Sequence, residues 1–137
     1  MVSELFNPIT RELEEEDQEV IYIIGTKELL YNPKLVGDFK IGRSTLRSID
    51  ERLRSIQTGN PNTLTVYMKV PYFNRRMEII CHRELEKNKH RGIVKRKGEW
   101  FRGELDMIIQ IIMRAVMMYD TNKRYISKIP RRKSAVV

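Results

Sequence analysis

Phe39-Lys40-Ile41-Gly42-Arg43 decides the fold, read together with Val20-Ile21-Tyr22 before it and Gly98-Glu99-Trp100-Phe101 after it. Val20 to Gly25 is an apolar run rich in β-branched residues, which predicts a buried strand. Lys27 to Gly37 contains Asn32-Pro33 and ends in glycine, so it reads as a long connection. Phe39 to Gly42 then forms a second strand, antiparallel to the first. Ser48-Ile49-Asp50-Glu51 has the capping-box pattern, and Ile49, Leu53 and Ile56 fall on one helical face. Gly59-Asn60-Pro61 stops that helix. Leu64 to Val70 alternates as a third strand. Asn74 is placed to cap a second helix whose Met77, Ile80, Cys81 and Leu85 face inward. Lys87 to Lys97 reads as a basic loop, Glu99-Trp100-Phe101 as a short extended segment, and Glu104 to Tyr119 as a strong helix. The order β-β-α-β-α-β-α predicts an α+β domain, a small, mainly antiparallel sheet of three to four strands flanked by helices.

A chain of 137 residues and 16.3 kDa is most simply one domain. With 41% hydrophobic and 32% charged residues it has the composition of a soluble globular protein, which excludes a wholly disordered one. Cys81 is the single cysteine, so no internal disulfide forms and a reducing, intracellular setting is expected. No apolar run follows a basic start, so no secretory signal is read at the N-terminus. The apolar stretch near the C-terminus is interrupted by Asp106, Gln110 and Arg114, which argues against a membrane span.

Charge divides the chain into three. Residues 1–19 hold seven acids against Arg11, a net of −6, and read as an acidic arm. Residues 120–137 hold six bases against Asp120, a net of +5, and read as a basic tail. With a total of +8, residues 20–119 carry +9, a body suited to a polyanion such as DNA. The arm either shields that body or contacts the tail. Arg43, Lys87, Lys89, Arg91, Lys95, Arg96 and Lys97 are the candidate DNA contacts.

Taken in order, the three motifs resemble the GIY-YIG nuclease superfamily, most closely a branch frequent in phages and large DNA viruses. That branch reads K-I-G at its second motif and closes with G-E-W-F. The resemblance runs from about Val20 to Arg102. It implies a metal-dependent DNA endonuclease that hydrolyses phosphodiester bonds, working in the cytoplasm or nucleus of a host cell or carried in a virion. Such chemistry needs a metal ligand, a group that activates water, and cations that neutralise the phosphate.

The resemblance places Glu78 as ligand of Mg²⁺ or Mn²⁺, since a single carboxylate with bound waters suits such an ion. His82 lies one helical turn on, within reach of the same site. Taken alone, the two residues would be a solvated pair. Arg52 matches the helix arginine that contacts the scissile phosphate, a job suited to a bidentate guanidinium. Tyr22 matches the first-motif tyrosine, although a tyrosine in a buried strand is otherwise core. Lys40 stands where the best-known members carry the second-motif tyrosine. It either stabilises phosphate charge or shares base duty with Tyr22. Glu99 is either an auxiliary carboxylate in the cleft or an ion-pair partner of nearby bases.

Three departures from the family pattern point toward the alternative, a non-catalytic relative serving as a DNA-binding or particle component of a virus or phage. The Tyr22-to-Lys40 spacing is long, and Ile56 stands one turn after Arg52 where several active relatives carry His or Tyr. The family's late asparagine has no clear match, although Asn88 is nearby.

In the last helix, eleven of the fifteen residues from Glu104 to Met118 are apolar, with Asp106, Gln110 and Arg114 as a narrow polar stripe. A helix covering one face of a sheet needs an apolar arc of only a little over about 100°. The surplus predicts a homo-oligomer or another protein chain packed on the 104–119 helix.

Overall fold

The computed structural model describes residues 16–28 and 36–120 of the chain. The first fifteen residues of the acidic arm, the Asn32-Pro33 turn and the tail from 121 onward lie outside the described residues. The strands are β1 (Glu19–Thr26), β2 (Val36–Thr45), β3 (Leu64–Pro71), β4 (Val94–Lys95) and β5 (Trp100–Glu104). The helices are α1 (Ile49–Thr58), α2 (Met77–Glu86) and α3 (Leu105–Tyr119). The sheet order is β3-β1-β2-β5-β4, and every pairing is antiparallel. The fold is α+β, as expected.

β1 is buried on both faces, which is why its sequence is continuously apolar rather than alternating. Successive side chains go to opposite sides of a strand. Ile21 and Ile23 join Phe39, Ile41 and Phe101 in the main core beneath α2 and α3. Tyr22 and Ile24 join Ile49 and Leu64 in a smaller cluster on the α1 side. That smaller side carries the chemistry. Cross-strand pairing sets Tyr22 opposite Gly42, Ile24 opposite Lys40, and Lys40 opposite Trp100, all on the face toward α1.

Two local expectations change. Lys87 to Lys97 is not a plain loop. It contains a 3₁₀ turn at Lys89–Arg91 and the two-residue strand β4, which gives the sheet a fifth strand. Ile93, fully buried between them, anchors the segment. Gly98, at φ +66°, supplies the left-handed residue between β4 and β5. Ser48 does precede α1, but its side chain makes no capping bond. Its own N–H instead donates to the carbonyl and hydroxyl oxygens of Thr45. Asn74 does serve the start of α2, its side-chain oxygen accepting the Arg76 N–H at 2.9 Å.

α3 packs on the sheet and also along α2, so Leu105, Ile108, Ile111, Ile112 and Ala115 are all buried. Its wide apolar arc is therefore covered for the greater part within the domain. What stays exposed is the far end, with Met113, Met117, Met118 and Tyr119. Asp120, counted with the tail by its charge, is tied into the fold. Its carboxylate accepts the N–H groups of Phe73 and Asn74, at 2.9 and 2.6 Å. Gln18, from the acidic stretch, likewise donates to the Tyr72 carbonyl at 3.0 Å. Among the described residues no helix is long and apolar enough to cross a membrane.

Candidate active site

An open cleft of about 800 Å³ lies between β1, β2, α1 and the start of α2. Tyr22, Lys40, Arg43, Arg52, Glu78 and Glu99 all line it, along with Ser55, Ile56, Gly59, Asn60 and Trp100. Residues spread over 78 positions of sequence meet here because the sheet register brings β1, β2 and β5 side by side.

Gly42 explains the floor. A Cβ at this position would lie 2.4 Å from the Tyr22 hydroxyl and 3.0 Å from Glu99 Oε1. The glycine of the second motif is thus the absence of a side chain that leaves room for a phenol and a carboxylate. Burial, followed by the negative charge of Glu99, pushes the Tyr22 hydroxyl up to about 12. At neutral pH it is a protonated phenol, a hydrogen-bond donor. Gly42→Ala should destabilise the domain by about 1–3 kcal/mol through overpacking. Tyr22→Leu in the same chain removes the atoms that clash, so the double variant should lose less than the sum of the singles in urea unfolding. Simple additivity would contradict this account of the glycine.

Above the floor the charges alternate. Lys40 Nζ sits 3.3 Å from Glu99 Oε1, and Arg43 Nε sits 3.4 Å from Glu78 Oε1. Arg43 also reaches Glu19 at 3.9 Å, and the Tyr72 hydroxyl donates to that same Glu19 oxygen at 2.5 Å. Glu78 and Glu99 face each other closely enough to hydrogen-bond when one of them is protonated. Burial first, then Glu99, raises Glu78 to about 7. Glu99 itself is burdened by burial but ends below its ordinary value, because Glu78 donates to it and Lys40 lies beside it. Glu78 is therefore the more readily protonated of the two carboxylates, burial and Glu99 outweighing the pull of Arg43 beside it. Arg52, one turn into α1, makes no ion pair among the described residues, so its guanidinium is available to a ligand.

His82 does not line the cleft. Its Nε2 is 2.8 Å from the Ile41 carbonyl and its ring lies edge-on to Phe101 at 5.1 Å. A carbonyl only accepts, so Nε2 carries the hydrogen. His82 thus fastens α2 to β2 one turn beyond Glu78 and acts on the site by position.

Of the seven basic candidates, Arg43 lines the cleft. Arg96 and Lys97 line an adjoining hollow with Trp100. Lys87 is paired with Glu84 at 3.0 Å, and Lys95 is held by the Gly98 carbonyl at 3.1 Å and over the Phe101 ring at 5.1 Å. Arg91 points its guanidinium toward the Met107 sulfur at 3.8 Å, and Lys89 lies in the same 3₁₀ turn. Ser55 and Asn60 are cleft residues that sequence reasoning missed. Ser55 lies three residues after Arg52, a helical spacing that puts it on the same side.

The pattern that matches this chain covers all of these side chains. The T5orf172 domain family matches residues 19–116, from the first residue of β1 into α3. The chain belongs to the T5orf172 domain family. This domain is found in phage and related proteins and is linked to GIY-YIG and homing-endonuclease-like folds. No curated protein and no solved structure matches the chain. Every cleft residue named above falls inside the T5orf172 domain.

Proposed function

We propose that this T5orf172 domain protein is a divalent-metal-dependent DNA endonuclease of GIY-YIG type. The observation that carries the reading is the meeting of Tyr22, Lys40, Arg52, Glu78 and Glu99 in one open, mainly polar cleft. Among the described residues no cluster of three or more His, Cys, Asp or Glu forms a closed metal cage. A site built from one or two carboxylates still fits Mg²⁺ or Mn²⁺, which keep several waters when bound. The donor set supports that fit, because Glu78 and Glu99 both line the cleft and a dication between two neighbouring carboxylates would offset their mutual repulsion. Glu78 would hold the ion, with Glu99 at its side. When bound, such an ion supplies Lewis-acid stabilisation of a phosphoryl oxygen.

The chain's own residues do the rest. Arg52, exposed at the cleft wall and without an ion pair among the described residues, clamps the scissile phosphate through its planar fork. Lys40, kept in place by Glu99, neutralises charge that develops on the phosphate. Tyr22, protonated at neutral pH, orients the attacking water by donating or accepting a hydrogen bond. Incubation of the protein with supercoiled plasmid and Mg²⁺ or Mn²⁺ tests this reading. Nicked circles that vanish on chelation are expected. Binding without nicking would favour a DNA-binding or particle component instead.

The grip on DNA should be electrostatic and largely indifferent to sequence. Each phosphate neutralised steepens the log–log salt dependence of affinity by about 0.9. Charge reversal of both Arg96 and Lys97 should therefore flatten that slope by nearly two units and lower affinity at least about 10-fold at low salt. Reversal of Lys87, already paired with Glu84, should change little. An affinity that does not respond to salt would contradict the electrostatic reading.

A further inference from the structure

We propose that Trp100 and Asn60 form a subsite for an unpaired nucleotide beside the cleft, with the base lying on the indole and the neighbouring phosphate held by Arg96 and Lys97. The inference rests on the reading of the protein as one that acts on DNA, and it names the form of DNA the site takes.

The shape of the surface points there. Trp100 and Asn60 line the main cleft and also two adjoining hollows of about 290 Å³ each. They are the shared wall of one furrow that leads away from Tyr22 and Glu78. Hollows of that volume lie at the lower end of the range for ligand pockets. Trp100 packs against the cluster of Tyr22, Ile24 and Leu64 but is only partly buried, so part of its ring faces the furrow. An aromatic platform of this kind takes any base, because every base presents a π-face.

The charges divide the furrow by chemistry. The hollow toward β2 holds Asp38 and Glu28, and its arginine, Arg102, is already paired with Asp38 at 3.3 Å. That side repels phosphate. The other hollow shares Asp38, which Arg102 already pairs, and adds Arg96 and Lys97, exposed and without ion-pair partners among the described residues, so cations outnumber the acid there, with Trp100 lining both this hollow and the cleft. Lys40 Nζ lies 5.9 Å from the Trp100 ring centre, which links the platform to the cleft. A strand laid along this path puts phosphates on Arg96, Lys97, Lys40 and Arg52 and a base on Trp100. A fully paired duplex keeps its bases stacked on one another and cannot use the platform without extruding one.

Trp100 is the single tryptophan, so emission from the full chain reports this site alone. A metal-free titration with a short single-stranded oligodeoxynucleotide should quench that emission saturably, and a fully paired duplex of the same length should quench it less. Trp100→Leu should weaken binding of a fluorescein-labelled single strand about 5- to 150-fold, the span expected for one stacked base, while Trp100→Phe keeps most of it. Single-strand binding without quenching, or Trp100→Leu binding like the wild type, would overturn the subsite. If Trp100→Leu fails to fold, the wild-type titration and Trp100→Phe still decide. Plasmid nicking with no quenching removes the subsite and leaves the endonuclease. Quenching and single-strand preference with no cleavage of plasmid or of single strand in Mg²⁺ or Mn²⁺ remove the endonuclease and leave the subsite.

Discussion

Glu78→Gln should abolish Mg²⁺-dependent nicking, by at least about 100-fold, and should raise the melting temperature of the metal-free protein at pH 8. The first result follows from loss of the group that would hold the ion, the second from the cost of a carboxylate at this position. In the folded chain Glu78 is raised from 4.5 to about 7 by burial and by Glu99. The folded state therefore holds a proton that the unfolded chain gives up near its ordinary value. Stability from the protonated carboxyl is complete below about pH 4.5, falls as pH rises through about 7, and is gone above it. A shift of that size is worth about 3 kcal/mol, reduced to about 1–3 by screening in an open cleft. Glutamine has the same shape, carries no charge, and can still donate to Glu99. The variant should match the wild type at pH 4.5 and exceed it at pH 8, as read by thermal unfolding in EDTA. A variant that melts below the wild type at pH 8 would mean that the carboxylate is stabilised where it stands, contrary to this account.

Ile112→Asp should prevent the domain from folding. Ile112 is fully buried between the sheet and α2. The change removes buried apolar surface and places an unpaired carboxylate in the core, which is among the few single-residue routes to losses above about 4–5 kcal/mol. Whole domains are stable by only about 5–15 kcal/mol. Met117→Asp, on the same helix but 78% exposed, should change stability by no more than about 0.5 kcal/mol. Circular dichroism melts of the two variants separate the buried stripe of α3 from its exposed end. A cooperative, near-native melt for Ile112→Asp would show that this stripe is not core.

The order of strands and helices was legible because each long element carries its own period. β1 reads as apolar throughout, and the structure supplies the reason, since helices cover both of its faces. β4 was not legible, because two residues are too few to show alternation. The capping box at Ser48 does not form, because Thr45, three residues earlier, takes the Ser48 N–H that the Glu51 side chain would otherwise accept. The apolar arc of α3 is legible in sequence, but its period does not reveal that α2 lies along it and covers part of the arc, leaving Met113, Met117, Met118 and Tyr119 exposed at its far end.

The cleft was legible through its motif residues and not through their roles. Tyr22, Lys40 and Glu78 carry the motif signal, but nothing in sequence spacing shows Glu99 sharing a cleft with Glu78, 21 positions away. His82 was expected beside Glu78 by helical spacing, and the Ile41 carbonyl on a neighbouring strand turned it elsewhere. Contacts of that kind depend on register across the sheet, which a linear pattern does not contain.

The rate of supercoiled-plasmid nicking in Mg²⁺, for the wild type against Glu78→Ala and Arg52→Ala, tests the central claim most directly. Open circles are expected from the wild type, none in chelator, and rates at least about 100-fold lower for both variants while they still fold and bind DNA. A folded, DNA-binding wild type that leaves the plasmid supercoiled in both Mg²⁺ and Mn²⁺, or a Glu78→Ala variant that nicks at the wild-type rate, would contradict it.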